Sequence, residues 1–158
     1  MKKIAVIGAG ISGLFIANLF KRNKKYQVTI FERNSSINLK EGYGIQLSVN
    51  SIKLLNEIQF DELENNEKFN PDKINFYSVK KSRKICELNI SDFNTENFKY
   101  TTLKRSSLIN FLKKDLEKEI KFDHTISKIE QQDQIVKIAF ENNQIYELDY
   151  LIISDGVF

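Results

Sequence analysis

Six residues near the amino terminus, Gly8-Ala9-Gly10-Ile11-Ser12-Gly13, carry the strongest chemical signal in the chain. They follow a short apolar run, Ile4-Ala5-Val6-Ile7, and open a stretch with helical apolar spacing. Glycine has a separate use at each of the three places: the tight turn at Gly8, close backbone approach at Gly10, and tight packing of helix on strand at Gly13. A helix starting near Ser12 points free N–H groups and its positive dipole end at whatever occupies the turn. That is a cradle for a pyrophosphate. Glu32, 19 residues after Gly13, ends a second β-branched stretch. A carboxylate there accepts hydrogen bonds from both hydroxyls of an adenosine ribose and repels a 2′-phosphate. The order strand, glycines, helix, strand, acid predicts a dinucleotide site of the FAD or NAD type. A glycine-rich turn with an unrelated glutamate is the plain alternative, and it leaves that order unexplained.

Other reactive residue types are sparse. His124 is the only histidine, so neither a Ser-His-Asp arrangement nor a multi-histidine metal site stands out. Its place at a strand start predicts an ordinary, partly exposed side chain. Cys86 reads as a small apolar filler within a strand. Asp155 is the carboxylate to single out, because it follows an apolar strand at the end where open α/β sheets bind ligands. Lys104-Arg105 directly before Ser106 opposes the dipole of the helix that follows, unless an anion sits between them. Arg105 is therefore a candidate anion contact, and two solvated side chains are the alternative. Phe76, Tyr77, Phe93, Phe98 and Tyr100 could line an aromatic pocket, although aromatics in a sheet more often form core. No general acid, base or nucleophile is named.

The elements that must position these groups follow from apolar periodicity. Strands are expected at Ile4–Ile7 and Gln27–Glu32, with a helix from Ser12 to Arg22 between them. A short helix is expected over Asn50–Ile58, capped by Asn50 or Ser51. Ile74–Val79 and Lys84–Leu88 alternate like antiparallel strands with one wet face. Leu108, Ile109, Leu112, Leu116 and Ile120 form the apolar stripe of a helix over Ser106–Ile120. Four strands close the chain, at His124–Ile129, Ile135–Phe140, Ile145–Leu148 and Tyr150–Ile153, with a turn at Asn142-Asn143.

The chain has 158 residues, 41% of them hydrophobic, with one Cys, one Pro and a net charge of +3. The apolar fraction excludes a solvated coil, and the dispersed charge is no footprint for nucleic acid. A lone cysteine excludes an intramolecular disulfide and suits a reducing compartment, so the expected location is cytoplasmic. Met1-Lys2-Lys3 and the run to Phe20 imitate a secretory leader. The glycine spacing, Asn18 and the lack of a small-x-small cleavage site argue against one. No stretch is expected to cross a membrane.

Further landmarks appear in order: Glu32-Arg33, then Gly42-Tyr43-Gly44-Ile45-Gln46-Leu47-Ser48-Val49-Asn50, then Leu103-Lys104-Arg105 with Leu108, and finally Asp149 to Gly156. With the glycines, this set resembles the FAD-dependent aromatic hydroxylases, the monooxygenase family of the para-hydroxybenzoate, salicylate, kynurenine and ubiquinone-biosynthesis hydroxylases. The resemblance spans the entire chain. It implies an α/β fold: a Rossmann-like FAD-binding βαβ domain over 1–69 and 101–158, with the first strands of an antiparallel substrate-domain sheet inserted over 70–100. It implies that Gly8, Gly10, Ser12 and Gly13 hold the FAD pyrophosphate and Glu32 the ribose, with Arg33 beside it. Gln46 is the polar candidate in a loop passing near the isoalloxazine. Arg105 reaches the FAD from its helix, the backbone around Ile126 flanks the adenine, and Asp155-Gly156 serves both FAD and the nicotinamide nucleotide. Val49 departs from the Pro that many members carry.

The activity implied is hydroxylation of an aromatic or similar small substrate with NADH or NADPH and O₂. Complete members run well over twice this length and add a Gly-Asp segment that nothing here matches. The expectation is thus the amino-terminal portion of the family fold, truncated on its carboxyl-terminal side, inactive alone and weak in FAD binding. The alternatives are a stand-alone FAD- or NAD-binding module, half of a split flavoenzyme awaiting a carboxyl-terminal partner chain, or another Rossmann-type flavin or NAD oxidoreductase.

Overall fold

The computed structural model describes residues 1–40 and 43–156. Along the chain come β1 (Lys2–Ile7), α1 (Ile11–Lys21), β2 (Tyr26–Phe31), β3 (Gly44–Leu47), α2 (Val49–Asn56), β4 (Lys68–Phe69), β5 (Lys73–Ser78) and β6 (Arg83–Asn89). Then follow β7 (Thr101–Lys104), α3 (Arg105–Lys113), β8 (Ile120–Lys121), β9 (Ile126–Gln132), β10 (Ile135–Phe140), β11 (Ile145–Leu148) and β12 (Tyr150–Ile153). Two compact units result, one of Met1–Glu41 with Leu108–Phe158, the other of Gly42–Ser107. The division falls elsewhere than the expected 69/70 and 100/101 boundaries. Both β3 and β4 pair with β7, which keeps 42–69 together with 101–107.

The first unit is built on a parallel sheet of order β12-β1-β2-β8. Its centre is β1, where Ile4, Ala5, Val6 and Ile7 are all buried. Both faces need covering, and alternation divides the work. Val6 faces α1, with its Cγ1 3.4 Å from where a Cβ on Gly13 would lie. Ala5 and Ile7 face the other way, joining Phe31, Ile138, Phe140 and Leu148 beneath the antiparallel meander β11-β10-β9. The stretch that imitates a leader is thus the central strand of a sheet and its first helix. Asp149 ties the sheet's lower end: its carboxylate accepts from Lys2 Nζ at 2.8 Å and from the N–H of Lys3 at 2.7 Å. Those two bonds hold the Asp149 carboxyl below the usual carboxylate range.

The expected helix over Ser106–Ile120 is shorter than its apolar stripe. It stops at Lys113, and tight turns carry Leu116 into the core, where it is fully buried. Ile120 leaves the helix for β8 and pairs in parallel with Ile30 of β2. Parallel pairing needs extended backbone there, so the sheet overrides the helical period. The first meander strand, β9, begins at Ile126 rather than at His124, because the preceding residues turn to reach the end of β2. Asn143 takes φ +65° in the expected β10–β11 turn.

The second unit holds the antiparallel sheet β3-β7-β4, helix α2 and the two-stranded ribbon β5–β6. Ser48 occupies the position before helix α2, ahead of the expected Asn50 or Ser51, without a side-chain cap hydrogen bond, and Val49 is the first helical residue. The pairing of β3 with β7 was not expected from local pattern. Four-residue strands with Gln46, Thr102 and Lys104 on them carry too little alternation to announce themselves.

Candidate functional site

The first N–H groups of a helix lack partners within it, and α1 leaves them open to the turn that precedes it. Gly10 occupies the capping position, no side chain caps the helix, and no acidic residue stands in its first turn. Each glycine does separate work. Gly8 has φ +95°, and a Cβ there would lie 2.4 Å from the Ser154 carbonyl oxygen. A Cβ on Gly13 would lie 2.0 Å from the Gly8 carbonyl oxygen, so helix and turn touch backbone to backbone. At Gly10 a Cβ would meet nothing within 4 Å. The space above Gly10 is open, beside uncapped helical N–H groups, and the chemistry that fits it is an anion such as a pyrophosphate. Ser12 is exposed on the first turn of α1.

Glu32 follows β2 and is tied into this turn. Its Oε2 accepts from the Ala9 N–H at 2.9 Å, while Oε1 accepts from the N–H of Asn34 at 3.0 Å and from Asn34 Nδ2 at 2.8 Å. The backbone of Glu32 is fixed as well, through Glu32 N–H to Lys121 O and His124 N–H to Glu32 O, each at 2.9 Å. The glycine turn and the acidic residue therefore form one hydrogen-bonded frame. Asp155 joins the same end of the sheet. It is exposed just past β12, its Cα 3.3 Å from where a Cβ on Gly8 would lie. Arg33 is exposed next to Glu32. Ile126 begins β9 opposite Phe140 and packs on the core cluster containing Phe31.

Two predicted site residues belong to the second unit. Gln46, exposed on β3, accepts from Tyr100 Oη at 2.9 Å and lines an open cavity of about 410 Å³ with Lys68, Phe69, Thr102 and Lys104. Arg105 is the first residue of α3, half-buried, and its N–H donates to the Tyr43 carbonyl at 3.2 Å. Lys104 lies on β7, so only Arg105 of the pair stands on the helix, whose first turn holds no acidic residue. Gly42 of the predicted loop lies outside the described residues.

Three expectations about other residues need correction. His124 is buried rather than partly exposed, at 8%. One ring nitrogen, Nδ1, is bonded to the Phe122 carbonyl and the other, Nε2, lies 3.0 Å from Gln144 Oε1, among Phe31, Phe140 and Tyr146. Only the chain reversal after β8 brings those partners together. Cys86 is exposed instead of filling core. The aromatics of 76–100 do not form core either: Phe76, Tyr77 and Phe93 are exposed, Phe98 and Tyr100 half-buried. The ribbon that carries the first two has no layer on either face among the described residues. Sequence reading also passed over Asn34, whose signal was the Glu-x-Asn spacing that lets a side-chain amide turn back on a carboxylate.

Comparison with known proteins adds three findings. Residues 6–39 match the family described as NAD(P)-binding Rossmann-like domain. In sequence, the chain is 23% identical over 98% of its length to the 6-hydroxynicotinate 3-monooxygenase of Bordetella bronchiseptica, of which it spans 41%. It is likewise 23% identical over 98% of its length to the FAD-dependent monooxygenase dpasE of Apiospora sacchari, spanning 33% of that protein. In structure, it superposes on Klebsiella pneumoniae HpxO, solved with FAD and uric acid, with a TM-score of 0.81 and 17% identity over 98% of this chain and 39% of that one. The fold is therefore the Rossmann-type α/β arrangement expected, and the sequence relatives are monooxygenases, one of them named as FAD-dependent. The chain spans about two-fifths or less of these proteins.

Proposed function

We propose that this chain is the dinucleotide-binding part of an FAD-dependent monooxygenase that hydroxylates an aromatic or similar small substrate, with NADH or NADPH as reductant and O₂ as oxidant. One observation carries the reading. The Glu32 carboxylate is hydrogen-bonded to Ala9 within the glycine turn, so the ribose acceptor and the pyrophosphate cradle share one frame at the carboxyl end of β1 and β2. Redox and oxygen chemistry come from the flavin when bound; the chain binds and orients it. In this reading Gly8, Gly10, Ser12 and Gly13 surround the pyrophosphate, and Glu32 takes the ribose with Arg33 beside it. The Ile126 backbone borders the adenine, and Asp155 stands at the turn. Gln46 and Arg105 are the proposed flavin contacts, and 70–100 supplies the first strands of the substrate domain. The relatives named above support FAD, and the lone exposed thiol of Cys86 suits a reducing cytoplasm. Among the described residues, no helix is long and apolar enough to cross a membrane.

A second reading, half of a split flavoenzyme that meets a partner chain, is favoured by the bare β5–β6 ribbon. Titration of the chain with FAD and with FMN, followed by flavin fluorescence, tests the main proposal. FAD should bind and FMN, lacking the adenosine, should not compete. Glu32→Gln should weaken FAD by about tenfold, the size of a lost charge-assisted hydrogen bond. Equal affinity for FAD and FMN would sink the assignment of this end of the sheet.

A further inference from the structure

The hydrogen bonds of Glu32 leave it short of acceptors for the ligand assigned to it. An ionised carboxylate offers about four acceptor sites, two on each oxygen. Both sites on Oε1 are taken by Asn34, through its N–H and its Nδ2, and one site on Oε2 is taken by the Ala9 N–H. One site remains, on Oε2. A ribose presents two hydroxyls, and the second needs another acceptor in the same place.

Asn34 supplies it. A carboxylate only accepts, so the amide end facing Oε1 must be the NH₂ group, and the carbonyl end, Oδ1, must face away from Glu32. The residue is exposed, so Oδ1 is open to a ligand. Its backbone is tied on both sides: the N–H to Glu32, and the carbonyl to the Asp123 N–H at 3.2 Å. The carboxamide is thus held beside the carboxylate before any ligand arrives, which lowers the ordering cost of binding.

We propose that Asn34 is the second ribose-binding residue: Glu32 Oε2 takes one hydroxyl of the adenosine ribose and Asn34 Oδ1 takes the other. This rests on the dinucleotide reading above and assigns its specificity for a diol to a residue pair. The test is calorimetric titration of the full chain and its Asn34→Ala variant with ADP, 2′-deoxy-ADP and 3′-deoxy-ADP. The variant should melt with the parent, because Asn34 is exposed. It should bind ADP about threefold to tenfold more weakly, the range for one neutral hydrogen bond. That penalty should vanish on one of the two deoxy nucleotides, the one lacking the hydroxyl that Oδ1 accepts. Unchanged ADP affinity, or the same penalty on all three nucleotides, overturns the proposal, the latter marking a residue that only props Glu32. A parent chain that binds neither ADP nor FAD overturns the dinucleotide reading itself, and this inference with it.

Discussion

The parallel sheet of the first unit and the β5–β6 ribbon of the second both carry large apolar side chains and end in opposite conditions. In β1 every residue from Ile4 to Ile7 is buried, with α1 on one face and the meander on the other. In β6 every residue is exposed, Ile85 and Leu88 included, and Phe76 and Tyr77 of β5 are exposed beside it. The ribbon's register places Ile74 opposite Leu88 and Phe76 opposite Cys86, so one face presents a continuous apolar row. An isolated two-stranded ribbon is marginal in water, and an exposed apolar row marks a surface meant for contact or prone to aggregation. The difference teaches that alternation sets which side chains share a face, whereas a second layer decides whether that face becomes core.

The sharpest way to break this comparison is to make the same change in both regions. Phe31→Ala removes a fully buried ring in contact distance of Phe140, Tyr146 and His124. It should cost about 3–5 kcal/mol in urea denaturation. Phe76→Ala should stay within about 0.5 kcal/mol, as for an exposed site. Equal losses would mean that the ribbon is covered in solution. Next in size is Gly13→Ala, which places a Cβ 2.0 Å from the Gly8 carbonyl oxygen. Overpacking of that kind costs about 1–3 kcal/mol, and the melting curve should shift accordingly. If it does not, the helix and the turn are less closely seated than described.

The smallest effect concerns the tie at the lower end of the parallel sheet. Asp149 is held below its ordinary pKa by Lys2 and the Lys3 N–H, so it contributes stability above the usual carboxylate range, and that contribution fades as pH falls through its lowered pKa. Lys2 is held above its ordinary pKa by the same partner, so its share is complete below the usual lysine range and fades in strong alkali. Asp149→Asn should therefore melt slightly lower than the parent at neutral pH, with the gap closing on acidification below about pH 4. The effect stays small because both side chains reach solvent. A gap that persists unchanged in acid would assign the loss to packing instead of charge.

Legibility in the sequence followed the range of the interactions. β1, α1 and β2 are visible because each announces itself within a dozen residues, through apolar runs, β-branching and glycine spacing. The same holds for Glu32 as an acid at the end of β2. β8 is invisible because two residues carry no period, and their conformation comes from Ile30 and Phe31 across the sheet. That pairing also ended α3 seven residues before its apolar stripe did. His124 was not legible because its burial depends on Phe31, Phe140, Gln144 and Tyr146, three of them later in the chain.

The sequence by itself determined that Gly8, Gly10 and Gly13 form a turn between a strand and a helix, and that Glu32 stands where a second strand ends. Those are local matters of sterics and period. Only the tertiary structure decided that the Ser154 carbonyl closes over Gly8, that Ala9 and Asn34 divide the Glu32 carboxylate between them, and that one acceptor site is left over. Hydrogen-bond capacity is a property of the residue. How much of it remains free for a ligand depends on which neighbours the fold brings within 3 Å.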